Sequence, residues 1–369
     1  VSTSSTPSDS GLPLADVPGA VEQELRAFFE RRLVEADEIG EPVVKAALHL
    51  SDFVLGGGKR IRPLYGWAGF VGGGGHERSG EDPRHVVRAV SALELIQACA
   101  LIHDDIIDAS DTRRGRPTVH RAVEAEHRTR NMTGDSAEFG RNVAILAGDL
   151  ALVWADDMWR DSGVSADALA RAQDPWRGMR TEVLGGQLLD ISLEATGDES
   201  IELANRVNRF KTAAYTIERP LHLGAAIAAA PASTVAAFRG YGRDIGIAFQ
   251  LRDDLLGVFG DSAVTGKPAG DDLREGKRTV LLSLALEALD RSDPASAAEL
   301  RAGVGCATDP EELDRLAVII RRSGAVEGVE KRIAELTSSG LAHLEQAGLD
   351  GPVAETLREL AIKSTSRRA

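Results

Sequence analysis

The sequence predicts an all-α fold, a single-domain helical bundle around a central apolar cavity. Three observations predict it. From Pro18 onward apolar residues recur three and four apart almost everywhere, and no alternating strand pattern of useful length lies between turn signals. The segment "HVVRAVSALELIQACALIHDDIID" is apolar on most of its surface and ends in carboxylates. A helix of that kind belongs at the centre of a bundle rather than on its skin.

Taken in order, the first seventeen residues, rich in Ser, Thr, Pro and Asp, read as a disordered tail, and the helical domain is expected over 18–369. "VEQELRAFFERRLVEA" opens the helical pattern. "LGGGKR" and "VGGGGHERSGEDP" break it with glycine clusters, and residues 124–141 read as an exposed loop. "NVAILAGDLALVWADDMW", "RTEVLGGQLLDISLEA", "IELANRVNRFKTAAYTIERPLHLGAAIAAA" and "ASTVAAFRGYGRDIGIAFQLRDDLLGVFG" follow as helices, the third kinked at Pro220. "VTGKPAGDDLREGKR" reads as a polar loop, and smaller helices after Lys277 pack on the flank. No internal repeat and no interdomain linker is visible.

The formal net charge of −14 argues against a nucleic-acid partner and a polybasic membrane anchor, though not against an anionic substrate met by local basic clusters. Two cysteines, Cys99 and Cys306, make no disulfide framework and fit reduced thiols in a cytoplasmic protein. No uninterrupted apolar run reaches the roughly eighteen residues of a spanning helix, so no transmembrane segment is expected. The amino end has neither the basic start nor the apolar core of a signal peptide.

Chemistry concentrates in "LIHDDIIDASDTRRGRP". On a helix, Asp104 and Asp108 fall about 40° apart around the axis and one turn along, so their carboxylates share a face. Two hard oxygen donors at that spacing suit Mg²⁺, which keeps several waters and bridges carboxylates to phosphate oxygens. Both sit at a helix carboxyl end, where the helix dipole disfavours anions unless a cation is near. Alone, the pattern is weak and fits a solvated acidic helix end better. "FQLRDDLLGVFGD" supplies a second set, Asp253 and Asp254, with Asp261 eight residues beyond the first. Were the two acidic ends to face each other, about three divalent cations and one diphosphate would fit between them.

Basic residues supply the counterpart. Lys59 and Arg62 follow a glycine turn, Arg113 and Arg114 follow the first acidic set, and Lys211, Lys267 and Lys277 sit near later helices. Guanidinium forks suit phosphate oxygens, and lysine adds point charge. Singly each is an ordinary surface cation; together they suit two diphosphate sites, one bridged by metal and one bound by side chains.

These residues resemble the head-to-tail trans-polyprenyl diphosphate synthases. The matching elements are "GGKRIRP", "DDIID" with "RRGRP", "GGQLLD", "FKT", "FQLRDD" and "GKPAGDDLREGK", in the family's order across roughly residues 20–365. The resemblance implies an isoprenoid synthase-type bundle and a Mg²⁺-dependent condensation of isopentenyl diphosphate with an allylic diphosphate. Asp104, Asp108 and Asp253 would ligate Mg²⁺. Arg113, Lys211 and Lys267 would hold the allylic diphosphate, and Lys59, Arg62 and Arg114 the isopentenyl diphosphate. Thr212, Gln187 and Gln250 would face the developing cation. A homodimer is expected, as is usual in the family.

Two positions depart from the pattern. Gly257 stands where many relatives carry the third Asp of the second motif, and Gln97 where short-chain relatives often carry a histidine that contacts isopentenyl diphosphate. Product length is expected to be set by side chains preceding Asp104. Relatives that stop at farnesyl diphosphate tend to place an aromatic where Cys99 and Ala100 stand, so geranylgeranyl diphosphate is expected, with Ile96 and Leu93 below as the limit. A longer-chain synthase, a class I terpene cyclase and a catalytically silent regulatory subunit remain open at this level.

Overall fold

The computed structural model describes residues 12–260 and 269–366. The chain divides into two compact units, Val1–His103 with Val119–Pro175 and Pro220–Val235, and Asp104–Thr118 with Trp176–Arg219 and Ala236–Ala369. Both are helical. In chain order the helices are α1 (Val17–Ile39), α2 (Glu41–Leu55), α3 (Ile61–Gly72), α4 (Gly75–Arg78), α5 (Pro83–Ile107), α6 (Val119–Thr129), α7 (Ser136–Arg160), α8 (Ala166–Thr196) and α9 (Ile201–Val207). A π-helical segment, Asn208–Glu218, leads into α10 (Arg219–Ile227) and α11 (Ala232–Phe259). Then come α12 (Asp271–Glu275), α13 (Val280–Ser292), α14 (Pro294–Gly303), α15 (Pro310–Arg322), α16 (Ala325–Gln346) and α17 (Gly351–Thr365).

The first unit is built on close helix crossings and aromatic packing. A Cβ on Gly69 would stand 2.2 Å from the Leu221 carbonyl oxygen, and one on Gly224 would stand 1.8 Å from that of Gly66. Glycine at these places lets α3 and α10 meet backbone to backbone. Phe28, Phe29 and Trp154 pack edge to face at 6.0–6.3 Å, a geometry that adds to their area burial. Arg60, left-handed at the start of α3, donates from Nη1 to Glu94 Oε2 at 2.7 Å, and both side chains are buried.

The second unit has its own core. Leu251, Leu255 and Val258 of α11 pack with Leu281, Leu282 and Leu286 of α13, Leu300 of α14 and Leu313 and Leu316 of α15. Arg252 grips Glu330 with two bonds of 2.6 and 2.7 Å and donates from Nε to the Thr365 carbonyl at 2.9 Å, fixing the carboxyl-terminal helices to α11.

Several expectations need correcting. Residues 1–11 of the expected tail lie outside the described residues. The remainder, 12–17, is structured: Leu14–Asp16 forms a 3₁₀ turn, Val17 is fully buried, and the Leu12 carbonyl accepts from Trp67 Nε1 at 3.1 Å. The 124–141 loop shrinks to a short link between α6 and α7. Most of its residues are exposed, as expected, but Glu124 and His127 are buried. Arg121 and Arg128 pair with Glu124, and His127 Nε2 lies 3.1 Å from the Thr133 carbonyl. The expected polar loop contains α12, while its residues 264–268 lie outside the described residues.

Helix α5 is long and apolar enough by composition to cross a membrane, since its few polar residues do not offset its apolar majority; most of that stretch is buried inside the protein, as in a core helix. Pro220 stands in the first turn of α10, directly after the π segment. The Arg219 N–H bonds the Ala214 carbonyl, five residues back, and Pro220 has no N–H to offer, so the turns before it are wound in π register.

Candidate functional site

The candidate site lies in the second unit, where the carboxyl end of α5, the last turns of α8, the π segment, α11 and α12 each contribute polar side chains. Ala109, with φ of 52°, ends α5 in left-handed geometry. The chain then turns through a two-residue hairpin, Thr112 opposite Pro117 and Arg113 opposite Arg116. Arg114 and Gly115 both have positive φ, as a tight two-residue turn demands. The hairpin returns Arg113 to the acids: its guanidinium lies 2.7 Å from Asp105 Oδ1 and 3.3 Å from Asp104 Oδ2. Asp105 is 1% exposed, and its second oxygen has no hydrogen-bond partner among the described residues. Burial therefore outweighs Arg113 and pushes the Asp105 carboxyl up to about 6.

Two ammonium groups sit among the other carboxylates. Lys211 Nζ donates to Asp104 Oδ1 at 3.1 Å and Asp190 Oδ2 at 2.5 Å. Lys277 Nζ donates to both oxygens of Asp108 at 3.1 Å and lies 3.1 Å from Glu194 Oε1 and 3.8 Å from Asp190 Oδ2. Burial would lower both lysines, yet the surrounding carboxylates outweigh it and raise them, so both stay charged. Asp104 moves the opposite way: burial would raise it, but Lys211, Arg113 and Lys277 hold it below the usual range.

A third line of contacts crosses the site floor. Thr212 Oγ1 donates to Gln250 Oε1 at 2.6 Å, Gln250 Nε2 donates to Asp254 Oδ1 at 2.8 Å, and Asn208 Nδ2 donates to Asp254 Oδ2 at 3.5 Å. Asp254 is 3% exposed, and burial, aided by Asp253, outweighs these donors and lifts it to about 7. One cleft is lined by Asp190, Asn208, Lys211, Thr212, Gln250, Asp254, Asp272, Lys277, Arg278 and Thr279.

Glycines make this assembly possible. A Cβ on Gly186 of α8 would lie 2.2 Å from the Lys211 backbone nitrogen, and one on Gly246 of α11 would lie 2.5 Å from Ala213 Cβ. The π segment carrying Asn208, Lys211 and Thr212 is thus pressed between two helices that lack side chains at the contact.

Of the expected residues, the structure brings Asp104, Asp108, Arg113, Lys211, Thr212 and Gln250 into this unit's acidic site. Asp253 is half-buried beside Asp254, but Asp254 is the one that lines the cleft. Gln187 stands half-buried on α8, and its Nε2 has no hydrogen-bond partner among the described residues. Arg114 is exposed at the hairpin turn. Asp261 and Lys267 lie outside the described residues.

Lys59, Arg62, Gln97, Ile96, Cys99 and Ala100 belong to the first unit. Lys59 is exposed before α3, Arg62 is buried in its first turn, and Gln97 and Ala100 are half-buried on α5. Ile96 and Cys99 are buried. Cys99 Sγ lies 3.6 Å from His103 Nδ1, whose ring fills the space over Gly148. Burial, with Asp149 nearby, pushes the Cys99 thiol up to about 12, so it is not a nucleophile at neutral pH.

Asp190, Glu194, Asn208 and Asp272 join the site without having been expected there. Asp190 and Glu194 carry a usable signal, because they repeat the one-turn spacing of Asp104 and Asp108 on another helix.

The raised Asp254 carboxyl carries a pH prediction. It holds its proton in the folded protein at pH values where the unfolded chain, near the ordinary 3.8, has released it. The stability it contributes is present at low pH and is lost as pH rises through about 4 to 7. In chelator-containing buffer, wild type is expected to lose thermal midpoint over that window relative to Asp254→Asn; parallel curves for the two would contradict the assignment.

The polyprenyl synthetase family model matches residues 45–320. This chain belongs to the polyprenyl synthetase family. Within it, the chain is 61% identical to a crystallised geranylgeranyl pyrophosphate synthase of Corynebacterium glutamicum, complexed with isoprenyl diphosphate and magnesium. That match has a TM-score of 0.94 and covers 97% of this chain and 100% of the other. The chain is also 35% identical to a geranylfarnesyl diphosphate synthase of Aeropyrum pernix, over 78% of this chain and 82% of that protein. A (2E,6E)-farnesyl diphosphate synthase of Mycobacterium bovis is 30% identical over 96% of this chain and 90% of its own length. Membership of the polyprenyl synthetase family accounts for the order of motifs, and the helical architecture agrees with it.

Proposed function

We propose that this chain condenses isopentenyl diphosphate head to tail with an allylic diphosphate (dimethylallyl, geranyl or farnesyl), forming an all-trans prenyl diphosphate, with geranylgeranyl diphosphate as the main product. The observation that carries this reading is the whole-chain likeness to the Corynebacterium glutamicum synthase, at 61% identity. The carboxylate and ammonium groups gathered around Asp104 and Lys211 agree with it.

The donor set fits magnesium. Asp104, Asp108, Asp190, Asp253 and Asp254 offer only hard carboxylate oxygens. That suits an ion held by one or two carboxylates, with water and substrate phosphate completing its shell. Asp104, Asp108 and Asp253 are assigned to hold about three such ions. When bound, Mg²⁺ supplies charge neutralisation on the leaving diphosphate.

The chain's own residues do the remaining work. Lys211 and Arg113 present cationic donors to the allylic diphosphate, as Lys267 is assigned to do, while Lys59, Arg62 and Arg114, with Gln97, are assigned to the isopentenyl diphosphate. As the allylic C–O bond breaks, Thr212 and Gln250 offer oxygen lone pairs toward the positive carbon, and Gln187 is assigned alongside them. The isopentenyl double bond forms the new C–C bond, and the departing diphosphate takes the proton lost from the resulting cation. Apolar residues such as Leu101 and Ile102, in the turn of α5 before the acids, serve to keep water from quenching that cation.

A homodimer is the proposed assembly. Leu146 and Val153, seven residues apart on α7, are 61% and 58% exposed and offer an apolar face for a second copy.

Incubation with Mg²⁺, isopentenyl diphosphate and each allylic primer tests the reading, with dephosphorylated products resolved by chromatography. Elongated prenyl alcohols are expected; cyclic hydrocarbons, or no product with any primer, would reject it. In the same assay Cys99→Phe is expected to shorten the main product by at least one isoprene unit. An unchanged chain would place the limit elsewhere than on Ile96, Cys99 and Ala100.

A further inference from the structure

Near the site carboxylates stand one turn apart twice: Asp104 in the last turn of α5 with Asp108 just past its end, and Asp190 with Glu194 on α8. On α11 the position one turn after Asp253 is Gly257, so no second carboxylate stands one turn along from Asp253, and Asp254 is the α11 acid that lines the cleft. The space a side chain at 257 would fill is already taken. An ideal Cβ there would lie 2.0 Å from Asp272 Oδ2, 2.3 Å from its Cγ and 2.7 Å from Oδ1. The carboxylate of another element thus stands where the missing one would begin.

The Asp272 backbone is held in that position. Helix α12 is bounded by left-handed Gly270 and Gly276, with φ of 74° and 80°. Leu273 is 2% exposed in the core, and its carbonyl accepts from the Gly305 N–H at 2.8 Å. The Asp272 carbonyl accepts from the Lys277 N–H at 2.9 Å. Asp271, the adjacent acid, is tied to Arg274 at 2.6 Å. Asp272 lines the same cleft as Asp190, Lys211, Asp254 and Lys277.

We propose that Asp272 is the carboxylate that completes the second acidic set, standing in for a side chain at 257, and that it helps set the magnesium requirement for diphosphate binding. Gly257 is then a required partner rather than a loss, since any side chain there would displace Asp272. The inference rests on the proposed magnesium-dependent diphosphate binding.

The test measures binding of an unreactive thio analogue of farnesyl diphosphate by titration calorimetry across Mg²⁺ concentrations, with far-UV circular dichroism to establish folding. Asp272→Asn keeps shape and loses charge, and is expected to raise the Mg²⁺ concentration for half-maximal binding about tenfold, the scale of losing a supporting carboxylate. Asp272→Ala is expected to do at least the same, and Gly257→Asp added to it to recover most of the loss. An unshifted Mg²⁺ requirement in Asp272→Asn, or a folded double variant no better than Asp272→Ala, overturns the inference. Failure of the wild type to bind the analogue with Mg²⁺ would instead overturn the reading beneath it.

Discussion

Replacing Asp104 with alanine is expected to lower turnover by about two to three orders of magnitude, the scale of removing a principal electrostatic stabiliser of a developing charge. Asp104 is the meeting point of the site. Its two oxygens face Lys211 at 3.1 Å and Arg113 at 3.3 Å, and it shares a helix face with Asp108. Loss of this carboxylate removes an assigned magnesium ligand and leaves two cations with one anion fewer between them. The fold should survive, because Lys211 retains Asp190 and Arg113 retains Asp105. Steady-state kinetics with a matched circular dichroism spectrum checks this, and near-normal turnover would reject the role given to Asp104.

Gly186→Ala is expected to be the most damaging single-methyl change at the site. The new Cβ would stand 2.2 Å from the Lys211 nitrogen and 2.6 Å from its Cα. Backbone atoms cannot swing aside as a side-chain tip can, so either α8 or the π segment must shift. Such overpacking costs about 1–3 kcal/mol. The displacement also moves Lys211 and Thr212 away from Asp104, Asp190 and Gln250, and misplacing catalytic groups by about an ångström can cost a hundredfold in rate. Both a lower thermal midpoint and a kcat reduced well beyond what unfolding explains are therefore expected. Gly185→Ala is the control, since a Cβ there meets nothing within 4 Å. Equal behaviour of the two variants would contradict the close approach.

Much of this protein is legible in the order of its residues. Helical class follows from the spacing of apolar residues, and the pairing of Asp104 with Asp108 follows from the helical repeat. Both properties are carried by neighbours in the chain. The ordered series from "GGKRIRP" to "GKPAGDDLREGK" likewise needs only the residues themselves.

Sequence and structure part company where local chemistry and burial disagree. Residues 124–141 look like a loop because they are polar, yet Glu124 is enclosed by Arg121 and Arg128 and continues a helix. Helix α5 has no unbroken apolar run of spanning length, yet taken as a whole helix it is apolar enough by composition, and most of that stretch is buried inside the protein. The short hairpin at Arg114 and Gly115 escapes a search for strands because two positive φ values, not an alternating pattern, define it.

Sequence alone determined the helical class, the acidic pair on α5 and the cations and carboxylates available, because each depends on residues within a turn or two of one another. Tertiary structure alone decided that Lys211 bridges Asp104 and Asp190, that Lys277 reaches Asp108 and Glu194, that Asp254 rather than Asp253 lines the cleft, and that Asp272 occupies the space over Gly257. Most of these partners are separated by many residues in the chain. Their meeting depends on which helices can approach closely, and that is set by glycines and core packing whose consequences no local pattern records.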